Sequence, residues 1–334
     1  MTKKKRILSL VLLVVVLAFW GGRAGEEKKS RNLPLKVSLA TEKFVSSVLI
    51  AVAEDKGFFR DAGLDVDVQS CPSGFVALKK LAQGQVQMAT GADFAFLSTL
   101  PENPSQVIVA TIATVDSFEM ITRKNTGITS PTDLRGKKIG VTFGTAGEYY
   151  LATCLLANGI SPFVRTEVTL VDIRPEKVAA ALAEGQVDAV VTWDKYVDET
   201  TRLLGDQAVS WSVQNGQDYY WNLVVPGDQA DSEAVDRMIR ALRKAEGYVV
   251  LHKQEAQRIV MGRWNLDEGL VRNFWNRCSL SVGLDQSLVI SLENGAAWQL
   301  RAQGKTTQAL PNVLAYIAKD ALEKLDPKAV TIFR

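Results

Sequence analysis

Two glycine-bearing turns and two aspartates carry most of the chemistry this sequence offers. Gly144-Thr145-Ala146-Gly147-Glu148 joins a strand-like run, Lys138 to Thr142, to a helical run from about Gly147 to Ala157. At such a junction free N–H groups and the positive end of the helix dipole can receive an anion. Thr145-x-x-Glu148 also has the form of a capping box, in which the two side chains satisfy backbone donors reciprocally. Ser73-Gly74 opens a second helix, where the Ser73 hydroxyl can cap the helix or reach a ligand. Asp93, beside Phe94, and Asp194, beside Trp193, each follow a strand; in parallel sheets ligands gather at those ends. Phe44 and Ser46 near the first helix start, with Asp116 and Glu119 further on, complete the plausible lining. The expected ligand-binding set is Phe44, Ser46, Ser73, Gly74, Asp93, Gly144, Thr145, Ala146, Trp193 and Asp194. Each also has a structural reading, as cap, core side chain or solvated carboxylate.

Catalytic material is sparse. The one histidine, His252, falls on a helical stretch, so histidine-dependent nucleophilic or zinc chemistry has little to work with. No catalytic residue, metal or cofactor is expected. Cys71, Cys154 and Cys278 are widely spaced without a C-x-x-C pair, and their odd number favours free thiols at least as much as a disulfide. Aromatic residues are frequent in the candidate loops, and only Lys43 and Lys195 stand close by as bases. That balance suits a flat or amphipathic organic ligand, while helix N-termini keep an anion in contention. Ligand charge therefore stays open.

The positioning elements follow from hydrophobic period. Leu35 to Ala40 alternates as a half-buried strand, a helical pattern covers about Ser46 to Lys56, and Leu64 to Val68 alternates again. The helix from Ser73 ends near Gly84 and feeds a strand at Val86 to Ala89, giving β-α-β-α-β. A second set begins at Ile128 to Leu134, with strands near 138–142, 167–171 and 189–192 and a helix start at Pro175. Leu81-Ala82-Gln83-Gly84-Gln85-Val86 recurs as Leu182-Ala183-Glu184-Gly185-Gln186-Val187, which places Asp93 and Asp194 at the same offset. The chain from about Ser232 reads helical and is expected to wrap back on the first half. Crossings near 117–122 and 221–224 would then form a hinge.

The 334 residues are 47% hydrophobic and 23% charged, ample for two medium cores. Lys plus Arg number 39 against 37 Asp plus Glu, a net charge of +2 without a basic patch, which argues against nucleic acid as partner. Lys3-Lys4-Lys5-Arg6, an apolar run from Ile7 to Trp20, and small residues before Ala24 have the form of a cleaved export signal. The run is shorter than a spanning helix needs, and no cysteine follows it for lipid attachment. A periplasmic product is expected, with residues 1–24 as signal and 25–33 as leader.

Ala53-Glu54-Asp55-Lys56-Gly57-Phe58-Phe59 through Gly63-Leu64-Asp65-Val66, with Ser73-Gly74, Leu81 to Met88, Asp133 to Val141 and Gly185 to Trp193, resembles bacterial nitrate, sulfonate and taurine binding proteins. That group also contains thiamine-pyrimidine binders. The resemblance covers roughly residues 35 to 250. It implies an α/β type II periplasmic-binding fold, with lobe 1 at 34–118 plus 223–334 and lobe 2 at 119–222. It also implies a ligand contact at Gly144, Thr145 and Ala146, a monomer, and an ABC permease in the inner membrane as partner. The implied function is capture of a small molecule, either a sulfonate- or nitrate-like anion or a nitrogenous heterocycle, by lobe closure. A thiamine-pyrimidine synthase-like enzyme and a ligand sensor without a transport role are the alternatives.

Overall fold

Period-two patterning places Leu35–Glu42 in the first strand, β1, with Val37 and Leu39 turned into the core. The computed structural model describes residues 33–305 and 307–333; the expected signal and nearly all of the leader lie outside the described residues. After β1 come α1 (Val48–Asp55), β2 (Leu64–Cys71), α2 (Gly74–Ala82), β3 (Met88–Ala92), α3 (Asp93–Thr99) and β4 (Gln106–Val115). The chain crosses at residues 116–117 into β5 (Phe118–Arg123), β6 (Lys138–Val141), α4 (Ala146–Ala157), β7 (Thr169–Asp172), α5 (Val178–Ala183), β8 (Ala189–Trp193), α6 (Asp194–Leu204) and β9 (Ala208–Ser212). It returns through residues 213–218 to β10 (Tyr219–Pro226), then runs through α7 (Glu233–Leu251), α8 (Lys253–Trp264), α9 (Glu268–Trp275), β11 (Cys278–Ser279) and α10 (Gln286–Ala302).

Two main sheets result, in the orders β11-β4-β10-β3-β1-β2 and β7-β6-β8-β5-β9, beside a two-stranded pairing of Leu284–Asp285 with Val330–Thr331. In the first, β1 pairs in parallel with β2 and β3, while β10 runs antiparallel to β3 and β4. In the second, β6 is parallel to β7 and β8, and β5 is antiparallel to β8 and β9. The reversal has a geometric cause. Each crossing begins where parallel strands end, so the strand it delivers must run away from that edge. Those ends, where helices start and backbone donors are free, consequently face one another across the crossings.

The return crossing lies earlier than lobe 2 at 119–222 would put it. Tyr219–Val225 are all buried, and Trp221 to Val224 pair with both β3 and β4. The aromatic run Tyr219-Tyr220-Trp221 belongs to a central strand of the first sheet. Phe118 likewise opens β5 and belongs to the second sheet. The hinge is clasped by Gln214, which is 1% exposed. Its Oε1 accepts from the Ser117 and Phe118 backbone N–H groups at 2.6 and 2.8 Å, and its Nε2 donates to the Val115 and Gln217 carbonyls at 3.0 and 2.7 Å.

Candidate functional site

A cavity lies where the two strand-end edges meet. From the first lobe it receives Glu42 at the end of β1, Ser73, Gly74 and Phe75 at the start of α2, Ala92 and Ala95, and Tyr219 and Trp221 of β10. From the second lobe come Phe118, Thr145, Ala146 and Trp193. The lobes are closed on it, leaving a cavity volume of 20 Å³, near the room one water needs.

Local sequence explains how these groups arrive. Ser73 caps α2, its Oγ accepting from Val76 N–H at 3.4 Å. Gly74 is required by close approach, because a Cβ there would stand 2.4 Å from the Trp221 ring and 2.8 Å from Gly91 Cα. The Trp221 ring is held from behind: its Nε1 donates to Ser47 Oγ at 3.2 Å, and Ser47 joins a buried chain through Thr41 to Thr90. Phe118 packs against Trp193 and Tyr219 with ring centroids 5.6 and 5.4 Å apart. The walls are therefore mostly aromatic rings.

Glu42 is the only charged residue among those lining residues. Trp193 Nε1 donates to its Oε1 at 3.4 Å across the lobes. Burial pushes the Glu42 carboxyl up to about 7, with the Trp193 hydrogen bond and the Lys195 charge acting the other way. Sequence reasoning took Phe44 and Ser46 from this loop and passed over Glu42. The signal available was position alone, since Glu42 is the last residue of a strand whose end faces the crevice.

Of the expected residues, Ser73, Gly74, Thr145, Ala146 and Trp193 line the cavity. Gly144 instead touches the opposite lobe. It has φ +76°, and a Cβ there would lie 2.8 Å from Phe75 Cζ. Phe44 is fully buried, edge-on to Phe274 at 5.7 Å, and Ser46 is buried with no hydrogen-bond partner for its hydroxyl. Both belong to the packing beneath α1. Asp93 turns away toward α10: its Oδ2 accepts from Ser291 Oγ at 2.5 Å and its Oδ1 from Phe94 N–H at 2.9 Å. Burial raises its carboxyl to about 6.

The expected capping box takes another form. Thr145 Oγ1 donates to the Thr142 carbonyl at 2.7 Å, and Glu148 Oε2 accepts from Gly144 N–H at 2.8 Å. Phe143 N–H donates to Asp172 Oδ1 at 3.0 Å. Two donors of this loop are thus occupied by the chain's own carboxylates, which weakens it as an anion receptor.

Asp194 opens onto a second cavity of 260 Å³ beside the hinge, with Ser117, Glu119, Asn273 and Arg277. Its φ is +47°, uncommon outside glycine, and its buried Oδ1 has no hydrogen-bond partner. Burial first, then the Glu42 charge, hold its carboxyl well above the usual range. Arg277, just before β11, donates to Glu119 of β5 at 2.6 Å and stands 3.6 Å from Asp116, tying the lobes together. A second tie is aromatic: Phe94 of α3 stacks on Tyr149 of α4 at 5.5 Å. Among the described residues no group of three histidine, cysteine or carboxylate side chains could hold a metal ion.

Comparison with known proteins agrees with this geometry. The sequence pattern of the family described as NMT1/THI5 like matches residues 46–256. The taurine-binding periplasmic protein of Escherichia coli (strain K12) is 28% identical over 160 residues, 48% of each chain. The formylaminopyrimidine-binding protein of Halalkalibacterium halodurans is 23% identical over 267 residues, covering 78% of this chain and 79% of that one. The alkanesulfonate-binding protein SsuA of Xanthomonas axonopodis pv. citri superposes with a TM-score of 0.72 at 17% identity, over 86% of this chain and 99% of that one. The fold is that of the periplasmic binding proteins.

Proposed function

Since the chain belongs to the NMT1/THI5-like family, we propose that it is the solute-binding component of an ABC-type importer, closing its lobes around a small, flat nitrogenous molecule. It would work in the periplasm beside a membrane permease, and bind without turnover. The basic and apolar N-terminal run supports export. Among the described residues no helix is long and apolar enough to cross a membrane.

One observation carries the ligand class: the lining places a single carboxylate, Glu42, among aromatic rings and brings no lysine or arginine. A sulfonate held there would face Glu42 without a countercharge, and two donors of the glycine loop are already taken. A ring bearing N–H donors satisfies Glu42 and stacks on the aromatic walls. Closure follows because contacts from both lobes exist only when they meet, and a ligand shifts that equilibrium by its differential affinity.

The test is a thermal-shift panel of the purified protein with taurine, alkanesulfonates, nitrate, aminopyrimidines and formylaminopyrimidine. Ligand at a hundredfold excess over Kd should add about 2.7 kcal/mol of stability. Aminopyrimidines should raise the midpoint. A response to sulfonates alone would move recognition to the helix start, and silence throughout would count against the receptor reading.

A further inference from the structure

Glu42 and Asp194 come from facing lobes, one at the end of β1 and the other directly after β8. Closure places both in protein, 5% and 8% exposed. They are neighbours through Trp193, whose indole N–H bonds Glu42 and whose next residue is Asp194. Asp194 keeps one buried oxygen unpartnered, with the Ser117 hydroxyl beside it.

The charges facing this pair compensate it only in part: Lys195 favours the ionised Glu42 and Arg277 the ionised Asp194, yet burial outweighs both. Arg277 is engaged by Glu119 and Asp116. Lys195 lies over the Tyr196 ring at 4.7 Å. The remaining titratable groups around the pair are Tyr196, Tyr219, Cys71 and Cys278, which are neutral near pH 7, with Glu119 adding a third negative charge. Two buried carboxylates on facing lobes resist ionising together unless a further positive charge joins them. Closure therefore requires a positive charge in the form of a proton or a ligand.

We propose that the solute is a planar organic cation, such as an amidine or a protonated aminopyrimidine, whose positive nitrogen meets Glu42 in the aromatic cavity and takes the place of the proton that this carboxyl holds when the lobes close empty. This rests on the receptor reading above and names the charge of its ligand. The cation and the proton then act alike on the hinge. Acid closes the ligand-free protein, and neutral pH leaves it open until a cation enters.

Three probes share one ring and differ in charge: benzamidine, benzamide and benzenesulfonate. Calorimetry at pH 7.5 should give benzamidine at least tenfold tighter binding than the other two, and Glu42→Gln should abolish that advantage. Benzamide or benzenesulfonate binding as well as benzamidine would overturn the proposal while leaving the receptor reading intact. If none of the three binds, small-angle scattering of the ligand-free protein decides. The radius of gyration should grow between pH 5 and pH 8 in the wild type and grow less in Glu42→Gln, where only Asp194 of the pair still titrates. A flat wild-type profile, or the same growth in the variant, would overturn it. Absence of any closure with acid or with every solute of the panel would count against the receptor itself.

Discussion

Gln214 reaches from the return crossing to the outgoing one and accepts the Ser117 backbone N–H at 2.6 Å, so one side chain stitches together the two segments on which the lobes turn. The same amide bonds Phe118 N–H and the Val115 and Gln217 carbonyls. Gln214→Ala leaves these buried groups without partners. Unfolding free energy should fall by about 2 to 4 kcal/mol, since each orphaned buried group costs on the order of 1 kcal/mol or more. Urea denaturation measures it, and a loss below about 1 kcal/mol would mean that the clasp is replaceable by water.

Glu42 makes stability depend on pH in a direction opposite to an ion-paired acid. Its carboxyl rises from 4.5 to about 7 in the closed protein, so the native state binds the proton more tightly than the unfolded chain. Stability contributed by the neutral form is full below about 4.5 and is lost as pH rises toward 7, by about 3 kcal/mol in all. Between pH 5 and pH 8 the wild type should lose about 2 kcal/mol more stability than Glu42→Gln, in which Asp93 and Asp194 still titrate in the same direction. Equal slopes for the two proteins would assign the dependence to other groups.

Gly144→Ala should hinder closure. The new Cβ would sit 2.8 Å from Phe75 Cζ and adopt a positive φ. Small-angle scattering at pH 5 should then give a larger radius of gyration than wild type. Adding Phe75→Ala should restore the smaller value, since neighbours that clash couple non-additively. A double variant as open as the single one would place the obstruction elsewhere.

Much of the frame can be read from residue order, because its determinants are local. Ser73 caps α2 and the Leu81–Val86 echo marks two helix ends that feed strands. Long-range partnership is where such reading stops. Asp93 and Asp194 hold equivalent places, each the first residue of a helix after a strand. Yet Asp93 is claimed by Ser291, 198 residues further on, while Asp194 is left at the hinge. Glu42 escaped notice for the same reason, since its importance comes from Trp193, 151 residues away. The aromatic run at 219–221 signals burial without saying which sheet it joins.

All three cysteines are free. Cys71 and Cys154 are buried, and burial together with the Asp194 charge pushes the Cys278 thiol up to about 12. Native protein should therefore react slowly with iodoacetamide at pH 8, and denatured protein should take up three equivalents, read by mass spectrometry. Rapid native labelling at half-buried Cys278 would mean that its thiolate forms despite the Asp194 charge.

β10 lies between β3 and β4 in the first sheet, but the ribosome makes it only after the whole second sheet, 118–212, has been synthesised. Until residue 226 is available, β3 and β4 each hold a bare edge that an intermolecular strand can claim. The second lobe has no such dependence, because its strands are contiguous. Refolding should accordingly be sequential, with the inserted lobe forming early and the discontinuous one waiting on a distant segment, as the slower closure of non-local pairings requires. The window of aggregation risk belongs to the half built from two distant stretches of chain.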